Sequence, residues 1–159
     1  GAEKMSEKVA IMLGQRGHGK TTLAECFGKE AQARGDAWTF WDGNSEEYLM
    51  GNKQGKKIDC GILVVDVMEG LSPQTREHIL LAAQLGVKKV FVFINKCEVA
   101  RGDTFEVAQQ VLRIDGEVRE LLSWYDFNGS PIYWGSALTK MNWSASTFGV
   151  KPLYEALIA

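Results

Sequence analysis

The sequence has 159 residues, of which 45% are hydrophobic and 24% are charged, and its formal net charge is −2. This length suits one domain with a hydrophobic core, and the charge balance argues against binding to nucleic acid or an anionic membrane surface through charge alone. No apolar run is as long as a membrane-spanning helix requires.

The three cysteines, Cys26, Cys60 and Cys97, are scattered and odd in number. They are typical of reduced thiols in a cytoplasmic protein rather than of disulfides or a zinc site. The polar residues 1–6 are expected to be a disordered or tag-derived tail. We expect a cytoplasmic monomer that contacts neither membrane nor DNA directly.

The first predicted strand and helix flank a glycine-rich turn. The apolar run 9–13 precedes the turn, the helical run 22–27 follows it, and residues 14–21 between them fit the phosphate-loop pattern G-x-x-x-x-G-K-[ST]. The glycines let several backbone N–H groups point at one anion, and the helix adds the positive end of its dipole. We expect Lys20 to reach the outer phosphates of a nucleotide and the Thr21 hydroxyl to ligate Mg2+. The residues expected to bind phosphate are Gly14, Gln15, Arg16, Gly17, His18, Gly19, Lys20, Thr21 and Thr22.

The next predicted strands are 38–41 and 61–65, and the polar, glycine-rich stretch 42–60 between them predicts loops. Asp66 directly follows the second of these strands. An acid at a strand end beside a phosphate loop is typical of a residue that holds Mg2+, so Asp66 is a candidate for that role.

A helix is predicted over 73–85 and a strand over 90–94, which Asn95, Lys96, Cys97 and Glu98 follow directly. An amide and a long cation at a strand end, with a carboxylate two residues further on, suit a purine base. The Glu98 carboxylate would accept hydrogen bonds from N1–H and N2–H2 of guanine, and the Lys96 stem would cover the ring.

The last elements are a long helix over 104–124, a strand over 131–134 and a helix over 151–158. Gly116 inside the long helix allows a kink or a break there. After the strand, a backbone N–H within 135–138 is placed to reach the guanine carbonyl. The residues expected to bind guanine are Asn95, Lys96, Glu98, Ser136, Ala137 and Leu138.

Strands and helices therefore alternate from the first strand at 8–13 and the first helix at 20–33 onwards. This order predicts an α/β fold of the P-loop NTPase type, with a mostly parallel central sheet, helices on both faces, and one domain over 1–159. The nearly continuous apolar strands indicate burial on both faces. Ligands of such sheets bind at the carboxyl ends of the strands, where the phosphate loop lies.

The His-Gly-Lys-Thr-Thr-Leu run at 18–23 is similar to that in the GTP-binding domain of elongation factor Tu and its translational GTPase relatives. The resemblance covers most of 61–138 in order, including Asn-Lys-Cys at 95–97 and Gly-Ser-Ala-Leu at 135–138. It implies a translational G-domain fold, GTP or GDP with Mg2+ as ligands, and a ribosome or another translation-related protein as partner. No part of the sequence resembles the β-barrel domains of the elongation factor.

The sequence differs from the family pattern in the two switch regions. The stretch 34–60 is a shortened switch region, without a replacement for the family's Mg2+-ligating threonine. In the best match to the second switch, Asp42 holds Mg2+ and Glu46 stands where the water-orienting histidine belongs. We favour Asp42 over Asp66 for the metal, because the resemblance places Asp66 one strand further from the phosphate loop. Arg16 and Glu46 are the candidates for a catalytic role.

The family's base-reading aspartate is Glu98 here, and its extra methylene is expected to relax guanine selectivity. We expect a GTP- and GDP-binding protein with weak or absent intrinsic GTP hydrolysis. The alternatives are a pseudo-GTPase interaction module that keeps the fold without turnover, and an ATP-using P-loop enzyme, which only Glu98 suggests. The alternative to a functional ring at His18 is a loop residue whose backbone alone matters. His78 is expected to be an ordinary partly buried side chain.

Overall fold

The computed structural model of the chain describes residues 7–43, 57–96, 104–138 and 149–159. Every predicted strand and helix is confirmed within these ranges, and no end differs from its prediction by more than one residue. The elements are β1 Lys8–Leu13, α1 Lys20–Arg34, β2 Trp38–Trp41, β3 Cys60–Asp66, α2 Pro73–Gln84, β4 Val90–Asn95, α3 Thr104–Ser123, β5 Ile132–Trp134 and α4 Val150–Ile158.

The five strands form one parallel sheet in the order β2-β1-β3-β4-β5. Strands β3 and β4 are buried along their whole length, as their continuous apolar sequences predict. The same expectation is wrong for β2, which is half-exposed because it lies at the edge of the sheet.

Strand β1 lies between β2 and β3, with Ile11 opposite Trp41 on one side and opposite Gly61 on the other. The expectation that Asp66 lies one strand further from the phosphate loop is therefore wrong. Asp42 follows β2 and Asp66 ends β3, so the two acids flank the end of β1 from opposite sides.

Helices cover both faces of the sheet, as predicted. Odd-numbered β1 residues such as Ile11 and Leu13 pack with the apolar sides of α2 and α3. Even-numbered residues such as Met12 pack on the other face with α1 and α4, where Phe27 and Tyr154 are fully buried. This alternation follows from the period of two along a strand, and it fixes which helices lie beneath which strand ends.

Local signals set the helix boundaries. Helix α2 begins at a capping box in which the Ser72 hydroxyl accepts a hydrogen bond from the Thr75 amide and the Thr75 hydroxyl accepts one from the Ser72 amide. Helix α3 runs without a break through Gly116, since its packed apolar side outweighs the modest cost of one glycine. Among the described residues, no helix combines the length and apolar character needed to cross a membrane.

Candidate functional site

The phosphate loop, residues 14–21, leaves the end of β1 and leads into α1. Two of its glycines are required by close approaches of the backbone. A Cβ on Gly14 would overlap the Val64 carbonyl oxygen, and a Cβ on Gly19 would overlap the Asn95 amide nitrogen. Both residues also have positive φ angles, of 124° and 102°, which side chains disfavour. The sequence pattern thus reflects real steric limits at this turn.

Asn95, at the end of β4, connects the phosphate loop to the loop that follows β5. Its side chain is buried, and its Nδ2 donates a hydrogen bond of 2.9 Å to the His18 carbonyl oxygen. Its Oδ1 accepts a hydrogen bond of 3.0 Å from the Ala137 amide. One amide side chain therefore joins the phosphate loop to the 135–138 loop, and the two predicted halves of a nucleotide site meet through it.

The Ala137 amide is therefore engaged by Asn95 in this structure. Ser136 is fully buried and Leu138 is largely exposed. Lys96 donates from Nζ to the Gly17 carbonyl oxygen over 2.5 Å. The predicted guanine residues 95, 96 and 136–138 thus lie beside the phosphate loop, and their contacts with a base stay predictions.

His18 makes contacts through its ring as well as through its backbone. The ring is 1% exposed, and its Nδ1 accepts a hydrogen bond of 3.1 Å from the Asp66 amide. Because Nδ1 is an acceptor, Nε2 carries the proton and donates to the Glu69 carboxylate over 2.7 Å. His18 therefore fastens the phosphate loop to the end of β3. The spacing of the sequence motif does not reveal this role of the ring.

His78 also contacts the phosphate loop, a role that the sequence pattern did not predict. From α2 its Nδ1 accepts a hydrogen bond of 2.9 Å from the Gly14 amide. Burial lowers the pKa of His78, the Lys20 ammonium lowers it further, and Glu77 opposes the shift. A neutral ring is required here, because a protonated Nδ1 has no lone pair for the Gly14 amide.

Thr21 and Asp42, the predicted Mg2+ ligands, lie together. The Thr21 hydroxyl donates to Asp42 Oδ2 over 2.5 Å, on an exposed part of the site. Burial lowers the pKa of Lys20, and the Asp42 carboxylate opposes this shift, so the three side chains form one charged cluster. A hydroxyl and a single carboxylate fit Mg2+, which keeps several waters and binds phosphate oxygens in such sites. No group of three or more His, Cys, Asp or Glu that could hold a metal ion is found in the described residues, at this site or at any other.

Asp66, the other candidate for the metal, is engaged within the protein. Its Oδ1 accepts hydrogen bonds from the Met68 and Glu69 amides, and its Oδ2 lies 3.2 Å from Lys96 Nζ. Both oxygens of this carboxylate therefore have partners outside the phosphate loop, whereas the partner of Asp42 is Thr21 in that loop. The choice of Asp42 as the metal ligand stays a prediction.

The remaining predicted residues are less constrained. Arg16 is exposed on the phosphate loop, and Gln15 and Thr22 are half-buried. Glu46, Cys97 and Glu98 lie outside the described residues, as do residues 1–6 and residues 44–56 of the predicted shortened switch region. Their predicted roles stay predictions.

The family model of the elongation factor Tu GTP-binding domain matches residues 45–159. The chain belongs to this family. The match begins beyond the phosphate loop, so the loop at 14–21 is evidence independent of it. The family resemblance and the P-loop α/β fold that the sequence predicts are both confirmed.

A solved structure agrees on the fold. The chain is similar to translation elongation factor SelB from Methanococcus maripaludis in its apo form, with a TM-score of 0.73 and 23% sequence identity. The similarity covers 99% of this chain and 34% of SelB, so the chain spans about a third of that factor's length. The likeness supports the fold of the chain, which does not by itself fix the chemistry of the site.

Proposed function

We propose that the chain binds GTP and GDP with Mg2+ and that its own GTP hydrolysis is slow or absent. The observation that carries this proposal is the double role of Asn95, which connects the His18 carbonyl of the phosphate loop to the Ala137 amide. A nucleotide has to contact both loops at once. Because one buried side chain sets their spacing, little ordering is left to occur when a nucleotide binds.

The phosphates would bind to the 14–21 backbone amides and to Lys20, at the amino end of α1. Lys20 is suited to this because its ammonium is partly desolvated, which strengthens its attraction for an anion. The Lys96 stem and the Glu98 carboxylate would recognise guanine.

Thr21 and Asp42 would hold Mg2+, whose contribution when bound is to neutralise the charge on the outer phosphates. The hydroxyl proton that Asp42 accepts now would turn away, so that both oxygens become ligands. The pairing of these two groups at 2.5 Å supports their assignment to one site.

Slow turnover follows from the side chains that the chain lacks. Phosphoryl transfer to water depends on a group that orients the water and on groups that neutralise charge. Position 46 carries a glutamate where the family has its water-orienting histidine, and the shortened segment 34–60 holds no substitute for the switch threonine. Binding is therefore expected to be better preserved than hydrolysis.

A second candidate is an interaction module that keeps the fold, retains GDP as a structural ligand and uses its shortened switch region for docking. The shortened segment 34–60 favours this candidate. It predicts guanine nucleotide binding without hydrolysis even when ribosomes are added. The first candidate predicts that a translation-related partner accelerates hydrolysis.

The test is calorimetric titration of GTP, GDP and ATP, with Mg2+ and with a chelator, followed by phosphate-release assays with and without ribosomes. We expect micromolar or tighter binding of GTP and GDP, weaker binding of ATP, and little phosphate release by the chain alone. A Lys20→Met variant should bind at least tenfold more weakly, whereas Lys29→Met, an exposed lysine on α1, should bind as the wild type does. Fast unassisted release would contradict slow turnover, and equal ATP binding would contradict guanine recognition.

A further inference from the structure

Lys96, which follows β4, has two partners for its ammonium group within the described residues. Nζ lies 2.5 Å from the Gly17 carbonyl oxygen and 3.2 Å from Asp66 Oδ2. The Lys96 side chain is 34% exposed and the Asp66 side chain only 8% exposed. The aspartate is therefore the fixed member of the pair, and the flexible lysine takes its position from it.

Asp66 is held in place through both its side chain and its backbone. Its Oδ1 accepts hydrogen bonds of 2.8 Å and 3.2 Å from the Met68 and Glu69 amides, which leaves Oδ2 facing the lysine. Its own amide donates to His18. Burial raises the pKa of Asp66, but the two amides and Lys96 lower it more strongly, so the carboxylate is ionised at neutral pH.

The backbone of Lys96 also needs this support. Its φ angle is +65°, a left-handed conformation that is uncommon for residues other than glycine. Such a conformation persists where the surroundings over-determine it. Two contacts do so here. The preceding residue, Asn95, pairs in register with Asp66 of β3, and the Lys96 ammonium donates to the Gly17 carbonyl oxygen.

We propose that Asp66 is a positioning residue for the nucleotide: its carboxylate fixes the Lys96 ammonium against the phosphate loop and so holds the lysine stem where the purine ring binds. This inference rests on the proposed nucleotide binding. A free lysine would have to give up its rotamer freedom when the base arrives, whereas Lys96 has already given it up in the folded protein. The expected consequence lies mainly in slower dissociation of the nucleotide.

The first test compares GDP binding by Asp66→Asn with that of the wild type. Asparagine keeps an oxygen for the Met68 and Glu69 amides and removes the charge that faces Lys96. We expect the dissociation constant to rise about tenfold, mostly through a faster dissociation rate. The control is Asp115→Asn, which removes a carboxylate paired with Arg119 over 2.7 Å on the surface of α3. It should leave the dissociation constant unchanged, and an equal effect of both variants would overturn the proposal.

A double-mutant cycle separates positioning from general damage to the fold. If Asp66 acts through Lys96, Asp66→Asn should have little further effect on GDP binding once Lys96→Met is present. The proposal would be overturned if Asp66→Asn reduced the affinity for GDP by the same factor in the wild-type and the Lys96→Met proteins. A merely structural role of Asp66 would give that result.

Hydrogen exchange in the nucleotide-free protein gives a readout that does not depend on the proposed function. We expect amides of residues 14–21 to exchange faster in Asp66→Asn than in Asp115→Asn, and equal exchange would overturn the positioning of the loop. If the wild type binds no GDP, the proposed function fails and this measurement alone decides whether Asp66 fixes Lys96 and the loop. If the wild type binds GDP and Asp66→Asn binds equally well, only the inference about Asp66 fails.

Discussion

At the scale of single residues, the proposed Mg2+ ligands are Thr21 and Asp42. Their oxygens lie 2.5 Å apart at the end of β2 and the start of α1. Thr21→Val keeps the shape of the side chain and removes the ligand. We expect the affinity for GDP in Mg2+ to fall on the order of 10-fold to 100-fold, to the value found with a chelator.

The matched control is Thr39→Val on β2, whose hydroxyl bonds Glu7 away from the phosphate loop. In this variant Mg2+ should raise the affinity for GDP as much as it does in the wild type. A Thr21→Val protein that still bound GDP more tightly in Mg2+ than in chelator would contradict the assignment.

His78 is expected to make the free energy of unfolding depend on pH. Its pKa is lowered in the folded protein from the ordinary value of 6.5, mainly by burial and then by Lys20, so the unfolded chain binds the proton more readily. The free energy of unfolding should therefore fall as pH drops below 6.5, until the folded protein is protonated as well.

His78→Asn tests this, because an amide oxygen can still accept the Gly14 N–H and does not titrate. Urea unfolding at pH 7 and pH 5.5 should show a smaller loss of stability in the variant than in the wild type. Equal losses would show that another group carries the dependence.

At the scale of elements, replacing glycine by alanine is expected to have opposite effects on stability in a helix and in the phosphate loop. Gly116 lies within α3, and a Cβ there meets open space. Gly116→Ala should raise the free energy of unfolding by about 0.5–1 kcal/mol, since alanine restricts the unfolded chain and favours the helix. Gly19→Ala should instead lower it by more than about 1 kcal/mol, because its φ is 102° and the new Cβ would overlap Asn95.

Urea denaturation of the two variants beside the wild type checks this prediction. If Gly116→Ala were destabilising, the conclusion that α3 runs straight through this position would be wrong. If Gly19→Ala were neutral, the close approach between the phosphate loop and β4 would be wrong.

The strands, the helices and the phosphate loop could be predicted from the sequence. Strands β3 and β4 are continuous apolar runs and α3 carries an apolar stripe, so their existence and their ends follow from local pattern. The spacing of residues 14–21 predicts the phosphate loop because glycine is sterically required at 14 and 19. These features are decided by residues that are close in the chain.

The contacts between elements could not be predicted in this way. The bond from the Gly14 amide to His78 spans 64 positions, and the pairing of Lys96 with Asp66 depends on β3 and β4 being neighbours in register. No local pattern marks a histidine or an aspartate for such a role. The resemblance placed Asp66 too far from the phosphate loop, because no local pattern shows that β3 pairs directly with β1.

At the scale of the whole molecule, the carboxyl edge of the parallel sheet gathers the ends of five strands around one loop. Asn95 and Lys96 fasten that loop to the end of β4, His18 fastens it to Glu69 beyond β3, and His78 fastens it to α2. A loop held at so many points is arranged for a ligand before the ligand arrives, which favours binding. Hydrolysis depends instead on residues that orient water and neutralise charge, and we propose that the segment 34–60 lacks them.

The central claim is that this site recognises guanine nucleotides, and a competition experiment tests it most directly. GDP is titrated calorimetrically into the protein equilibrated with Mg2+ and a large excess of ATP. We predict that GDP still binds with one site per chain and an affinity close to that measured without ATP. An abolished or strongly weakened GDP signal in the presence of ATP would contradict the claim.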